Sequence, residues 1–505
     1  MCIARHHPSW PLRRGVAVPL LALALGGCAV GPNFTAPKPE APQDWTAWRS
    51  GDESLKIPLA AGEPLPADWW RAFGDPVLDR LQQQAVAASP DLRTAAARFA
   101  QARAQRLVAV AAGGPQVNLG AGASRVRQSE TGATARPLRV IAGEQAQSII
   151  DLVSQPFTLY QVGFDAGWEP DFWGRVARTV EAADAAIAGQ AALLDLARLS
   201  LASEVAQNYF ELRSAQRLAA LLRADASALE ERLGLQQARV RAGVQDHLDL
   251  ERRSAELAGV RAQLPLLLAQ EAASAARITL LLGEHPGALQ DELRATTAAS
   301  PSQSQSQSQS LASLPDLALG LPSEVAQRRP DIRAAEARLH GATASIGVAR
   351  AELYPSIRIG AQFGFESYLS SALPEWSSRT WSIGPRLDLP IFDRGRRKAV
   401  VQLRELQQQE AAIAYQRTVL EAWQQIDTAL AAYAAERLQE RELDARARHA
   451  GLAWELVQAH YKAGTIDFTS VLDSERAYLQ SRRELVASQG RLQTRFVAVN
   501  RAVGN

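Results

Sequence analysis

The chain has 505 residues, 47% of them hydrophobic, and a formal net charge of +2, so it carries enough apolar mass to fold without disulfides or metal. Setting aside Arg5, Arg13 and Arg14 near the N-terminus leaves 52 of the 55 basic residues against 53 acidic ones, which is no nucleic-acid footprint. The only two cysteines, Cys2 and Cys28, exclude a disulfide framework or a cysteine metal site in the processed chain.

Residues 1–27 read as an export signal: basic Arg5, Arg13 and Arg14, an apolar run from Val16 to Leu25, then small residues. Leu25-Gly26-Gly27-Cys28 resembles a lipoprotein processing box, with Cys28 acylated as the new N-terminus; simple cleavage is the alternative. Ala29 stands where an aspartate would signal retention in the inner membrane, so the resemblance points to the outer one. After Cys28 no run of eighteen apolar residues occurs, from which membrane-spanning helices are not expected.

Residues 28–75, rich in proline and tryptophan without periodicity, read as an extended arm laid on the body. A short helix fits Pro76 to Ala88, and a second starts at Ser89-Pro90-Asp91, with Ser89 as cap. Val117 to Arg125 then alternates in character, and a long polar loop follows. In the next strand Tyr160, Val162, Phe164, Ala166 and Trp168 share one face, and Gln161, Gly163, Asp165, Gly167 and Glu169 the other. Taken alone, that pattern fits a soluble core strand or a lipid-facing one.

Internal repetition is the strongest signal. Ser89 to Phe99 recurs at Arg329 to Leu339, displaced by 240, while Gly174-Arg175 and Arg241-Ala242-Gly243 recur at Gly395-Arg396 and Lys462-Ala463-Gly464, displaced by 221. The first hairpin loop is therefore about twenty residues longer than the second. The organisation expected is a first repeat over 76–283 with a β-hairpin at 116–170 and a helical hairpin at 175–283, and a linker over 284–319 containing Ser-Gln alternation at Ser302 to Ser310. A second repeat follows over 320–505, with hairpins at 356–390 and 396–503. Four ten-residue strands share one design, and Pro385 makes the last an edge strand or a bulged one. Two hairpins cannot close a barrel and open edges are not allowed in lipid, so several chains must contribute. Val419, Trp423, Ile426, Leu430 and Tyr433 step like a coiled-coil seam, as do Leu250, Leu257 and Leu264. Helices of some 65 residues end at Ala242-Gly243 and Ala463-Gly464, and Asp246 and Asp467 cap their successors.

Gly320-Leu321-Pro322-Ser323-Glu324-Val325-Ala326-Gln327-Arg328-Arg329-Pro330-Asp331 resembles the signature joining the two repeats of TolC-like outer-membrane efflux channels. Trp168-Glu169-Pro170-Asp171-Phe172-Trp173-Gly174-Arg175 is similar to that family's strand-to-helix junction, with Pro170 as a departure, and Cys28 to Phe34 to the start of its lipoprotein branch, called NodT-like. The resemblance implies a mainly α chain with four transmembrane strands: a homotrimer with a 12-stranded barrel in outer-membrane lipid and a periplasmic α-barrel. Its partners would be a periplasmic adaptor and an inner-membrane pump, and its role a passive exit duct without catalysis or cofactor. It also implies a periplasmic gate at Asp473, for which Arg252, aligned with Asp473 by the repeat, and Arg476 are candidate latches, and adaptor-contact tips around Gly243, Asp246, Gly464 and Asp467. No HExxH spacing, Gly-x-Ser-x-Gly elbow or phosphate loop supports an enzyme. The alternatives are a periplasmic coiled-coil structural lipoprotein without channel activity and a soluble β-sandwich enzyme with helical arms.

Overall fold

Alternation of side-chain character yields four strands: β1 (Gln116–Val126), β2 (Phe157–Trp168), β3 (Ser356–Ser367) and β4 (Arg379–Asp388). They form one antiparallel sheet in the order β1-β2-β3-β4. The computed structural model describes residues 29–504 apart from 39–40, 46–47, 57–65, 134, 142, 244–245, 296–316, 318 and 320–321. The leader, Cys28 and the Ser-Gln stretch lie outside the described residues.

The register puts like with like across all three pairings. Leu119 faces Phe164, Phe164 faces Phe363, and Phe363 faces Trp381. A half-buried strand of a soluble core would cover that row, yet Leu119, Phe164, Trp381 and Ile383 are 64%, 53%, 71% and 70% exposed. The other row is polar and glycine-rich, and it pairs as closely: Asn118 Nδ2 donates to Asp165 Oδ2 at 3.0 Å and Gln161 Nε2 to Glu366 Oε2 at 2.6 Å. Gly163 and Gly364 are partners here. A Cβ on Gly163 would lie 2.8 Å from the Gly364 Cα, so the backbones approach too closely for a side chain. Pro385 pairs with Ile359 in unbroken register on β4, an edge of this sheet, so its missing N–H costs no ladder bond within the chain.

Helices α1 (Pro76–Ala88) and α2 (Pro90–Ala111) precede β1. The Ser89 hydroxyl does not cap α2 as expected: it is buried without a partner among the described residues, and only its carbonyl accepts, from the Arg93 amide at 3.1 Å. The loop expected to be polar holds two short helices, α3 (Ala135–Ile141) and α4 (Ala146–Val153), with Ile150 buried beneath them. After β2 come α5 (Arg175–Arg241), α6 (His247–Leu281) and the short α7 (Gln290–Ala295). Then α8 (Pro322–Arg328) and α9 (Pro330–Ala351) lead into β3, and α10 (Arg396–Lys462) and α11 (Phe468–Val503) follow β4. Eighteen-residue windows in α5 and α6 reach mean hydropathies of 1.3 and 1.2 with two charges or fewer. The missing apolar run therefore did not exclude membrane-length helices by composition, because alanine raises hydropathy without contributing long apolar side chains.

Two compact units result, one of Met1–Thr35, Ala102–Ala186 and Leu339–Glu410, the other of Ala36–Gln101, Ile187–Arg338 and Ala411–Asn505. The first holds the sheet. The core of the second gathers Trp69, Phe73, Phe210 and Phe496, with ring centroids of Phe73 and Phe210 4.7 Å apart and of Phe73 and Phe496 5.4 Å. Ile426, Leu430 and Tyr433 of the expected α10 seam join it, and Val419 enters a neighbouring cluster with Tyr415. Tyr209, buried here, gives its hydroxyl to Asp75 at 2.5 Å, and burial together with the Asp75 charge pushes that phenol upward.

Substituting Gly163→Val drives a branched side chain into Gly364 backbone and should cost about 1–3 kcal/mol. Thermal unfolding in detergent micelles measures it, with Gly120→Val on the same polar row as the control expected to change little, since nothing lies within 4 Å of that site.

Candidate functional site

At the helix-proximal end of the polar row, Glu169 accepts from Arg175 at 3.2 Å and from Arg358 at 3.0 Å. These side chains line a cavity of about 390 Å³ with Asp388 and Arg396. The row is thus charged and hydrogen-bonded, as the wall of an aqueous conduit needs to be. At the same end Trp168 is 41% exposed and donates Nε1–H to the Gly113 carbonyl at 2.9 Å. Trp173 stacks on Tyr354 at 4.7 Å and donates to the Pro355 carbonyl, and Phe172 is the exposed neighbour. Asp171 caps the start of α5 by accepting from the Ala177 amide at 2.7 Å.

The residues following Cys28 occupy a built groove in the same unit. The Val30 amide donates to the Trp173 carbonyl at 3.2 Å. Arg178, 5% exposed, donates to the carbonyls of Val30 (3.3 Å) and Gly31 (3.4 Å) and to Asn33 Oδ1 (2.7 Å). Gly31, at φ +103, passes so close that a Cβ would lie 2.5 Å from the Gly347 Cα. Phe34 stacks on His340 at 4.3 Å, and His340 and Arg178 both bond Glu181, at 3.0 and 2.7 Å. Burial alone would raise the Glu181 carboxyl, but the hydrogen bonds from Arg178 and His340 outweigh it and hold the group below its ordinary 4.5.

Gly243 and Gly464, at φ +71 and +73, end α5 and α10 in the left-handed conformation. The Thr465 amide donates to the His460 carbonyl at 3.1 Å, closing the second turn. Asp246 then accepts from the Leu248 amide at 3.3 Å and Asp467 from the Ser470 amide at 3.0 Å, so each aspartate caps the returning helix. Both are exposed. Hydrogen bonds from the Ser470 side chain and amide lower the Asp467 carboxyl.

Of the three residues expected at a gate, Arg252 and Arg476 share a groove and Asp473 stands apart from it. Asp473 is exposed and makes no ion pair among the described residues. Arg252 and Arg476 line one groove of about 460 Å³, but each pairs elsewhere: Arg252 with Asp249 at 3.8 Å, Arg476 with Glu256 at 3.7 Å. Beneath them lies a buried cluster that sequence reasoning missed. Arg253 of α6, its side chain 1% exposed, donates to Glu475 of α11, 3% exposed, at 3.0 Å, and Arg232 of α5 meets the other Glu475 oxygen. One carboxylate thus ties three helices together. Burial lowers the Arg253 guanidinium, opposed by the neighbouring Glu256 charge. The clue was available: Arg253 sits one turn before Leu257, on the apolar stripe of α6.

The outer membrane efflux protein family profile matches residues 81–284 and 321–505. The outer membrane protein OprJ of Pseudomonas aeruginosa is 32% identical over 491 residues, covering 97% of this chain and 95% of that one. A pyoverdine export outer membrane protein, OpmQ of Pseudomonas putida, is 32% identical over 440 residues, covering 86% and 87%. Among solved structures, the outer-membrane channel OprN superposes with a TM-score of 0.78 at 28% identity, covering 94% of this chain and 99% of that one.

Removing Arg253 leaves a buried carboxylate without this partner, so Arg253→Ala should destabilise by about 3–5 kcal/mol, whereas Arg252→Ala, half exposed, should cost under about 1 kcal/mol. Urea unfolding of the two variants compares them. The Glu181 contact depends on pH with a defined sign: its contribution is complete above the ordinary 4.5 and is lost as pH falls below that through the lowered folded-state value. Protection of the Val30 amide from hydrogen exchange should fall accordingly on acidification, and Glu181→Gln should remove that dependence.

Proposed function

The chain belongs to the outer membrane efflux protein family, and from that membership we propose how this outer-membrane efflux channel is assembled and closed. The observation that carries the reading is a four-stranded sheet with an exposed apolar row, a polar row and two edges, β1 and β4. In lipid every backbone N–H and C=O needs a partner, so β4 of one copy pairs with β1 of the next. Three copies make twelve strands, a barrel wide enough for solutes. The polar rows then face water and the apolar rows face lipid. A coiled-coil spacer has no use for that sheet, and a β-sandwich would cover its apolar face with a second sheet; both alternatives fall.

Solutes enter from an inner-membrane pump through a periplasmic adaptor and leave through the barrel. The duct performs no chemistry and carries no cofactor; work is done by the pump. Cys28, acylated, tethers the segment whose following residues Arg178 holds. The adaptor meets the tips at Gly243, Asp246, Gly464 and Asp467. Asp473, exposed and without an ion pair among the described residues, supplies one carboxylate to a threefold ring that binds cations and narrows the lumen. Arg252 and Arg476, in one groove, are the latching cations. The Arg253–Glu475–Arg232 cluster holds α11 at the level of Asp473 so that this ring forms.

The chain should fractionate with the outer membrane as a detergent-requiring trimer; a monomer released without detergent contradicts the reading. In planar bilayers Asp473→Ala should raise single-channel conductance, and an unchanged conductance removes Asp473 from the gate.

A further inference from the structure

Where the strands join the helices, the lipid-facing rows end without charge, at Val117, Trp168, Ile357 and Leu387. At the loop end two of them end in arginine: Arg125 on β1 and Arg379 on β4. Both are exposed and lie on the apolar side, two or four residues from Ala123 and Ala121 and from Trp381 and Ile383. Arg125 makes no hydrogen bond or ion pair among the described residues. Arg379 is held in place: its guanidinium lies 4.8 Å over the Trp376 ring and Nη1 donates to the Trp376 carbonyl at 2.7 Å, which leaves the remaining N–H groups free. Trp376 itself is 65% exposed. A long cationic side chain at the hydrocarbon boundary snorkels to the headgroup level, where anionic headgroups can meet it.

The two arginines also stand on the two edge strands, the only pair that meets a neighbouring copy when the sheet closes. Each seam between copies therefore brings one Arg125 and one Arg379 to the loop end of the barrel.

We infer that this seam is a binding site for the phosphate groups of lipid A, the phosphorylated glycolipid of the outer leaflet. The inference rests on the channel reading, which puts the loop end outward. Guanidinium groups match phosphate with paired, charge-assisted hydrogen bonds, and the Trp376 ring presets one of them. The absence of cations on the same rows at the helix end matches a leaflet whose headgroups lack that density of phosphate. Binding at the seam couples the lipid to trimer assembly.

The test uses the full-length trimer in detergent, titrated with diphosphoryl lipid A and followed by native mass spectrometry. The wild type should retain diphosphoryl lipid A and release it when the phosphates are removed; phosphatidylglycerol should compete poorly. Arg125→Ser and Arg379→Ser should each weaken retention about fivefold and the double variant about 25-fold, as expected for about 1 kcal/mol per arginine near a charged lipid surface. Arg417→Ser, an exposed arginine on α10 away from the sheet, should leave lipid A retention unchanged, and Arg125→Lys should restore part of the loss. Equal retention by the double variant, or of phosphate-free lipid, overturns the site; equal binding of phosphatidylglycerol overturns its assignment to lipid A. Conductance is recorded on the same samples: conducting trimers without lipid A selectivity overturn the site alone, whereas a wild type that conducts nothing overturns the channel reading and the site together.

Discussion

An open sheet cannot stand in hydrocarbon, and the rest of this chain follows from that constraint. Its four strands satisfy one another's backbone groups across three pairings and leave β1 and β4 as edges. Everything that distinguishes the two faces serves closure. Glycines 163 and 364 let adjacent backbones approach on the polar side, while aromatic and branched residues fill the other. Because both edges belong to every copy, the proposed closure between copies would also create the seams to which Arg125 and Arg379 are assigned.

The helical part obeys a different rule. Long helices gain little from propensity alone and are held by what they bury. In the second unit that is an aromatic core around Phe73, Phe210 and Phe496, and farther along the helices a buried ion cluster. Such a cluster gives modest net stability for its desolvation cost, but losing either partner is expensive. Its value lies in geometry: Glu475 fixes the rotation of α11 against α5 and α6, and two residues away Asp473 is thereby presented outward.

How much of this was legible in the sequence depended on periodicity. The strands declared themselves because a two-residue period persisted over ten residues in four places, and the helical turns because glycine and aspartate recur 221 residues apart. The helices α3 and α4 did not, since seven- and eight-residue segments are too short for a period to stand out from a polar loop. The buried Arg253–Glu475 pair was missed by one residue. Repeat alignment pointed to Arg252, but a helix turns 100° per residue, and Arg253 is the one facing Leu257 and inward. A charge on an apolar stripe was the signal to follow. Ser89, likewise, has the right residue type for a cap and the wrong surroundings, being buried away from the amides it was expected to serve.

Edge-to-edge closure between copies is the central claim, and disulfide trapping reaches it directly. A variant with Cys2 replaced, Ala121→Cys on β1 and a second cysteine scanned through Trp381, Ile383 and Pro385 on β4 carries no other free thiol once Cys28 is acylated. Oxidation in the membrane should yield a covalent species of three chains at one or two scan positions and nothing at the rest. A chain that remains a single-chain species at every position, or closes only on itself, contradicts the account.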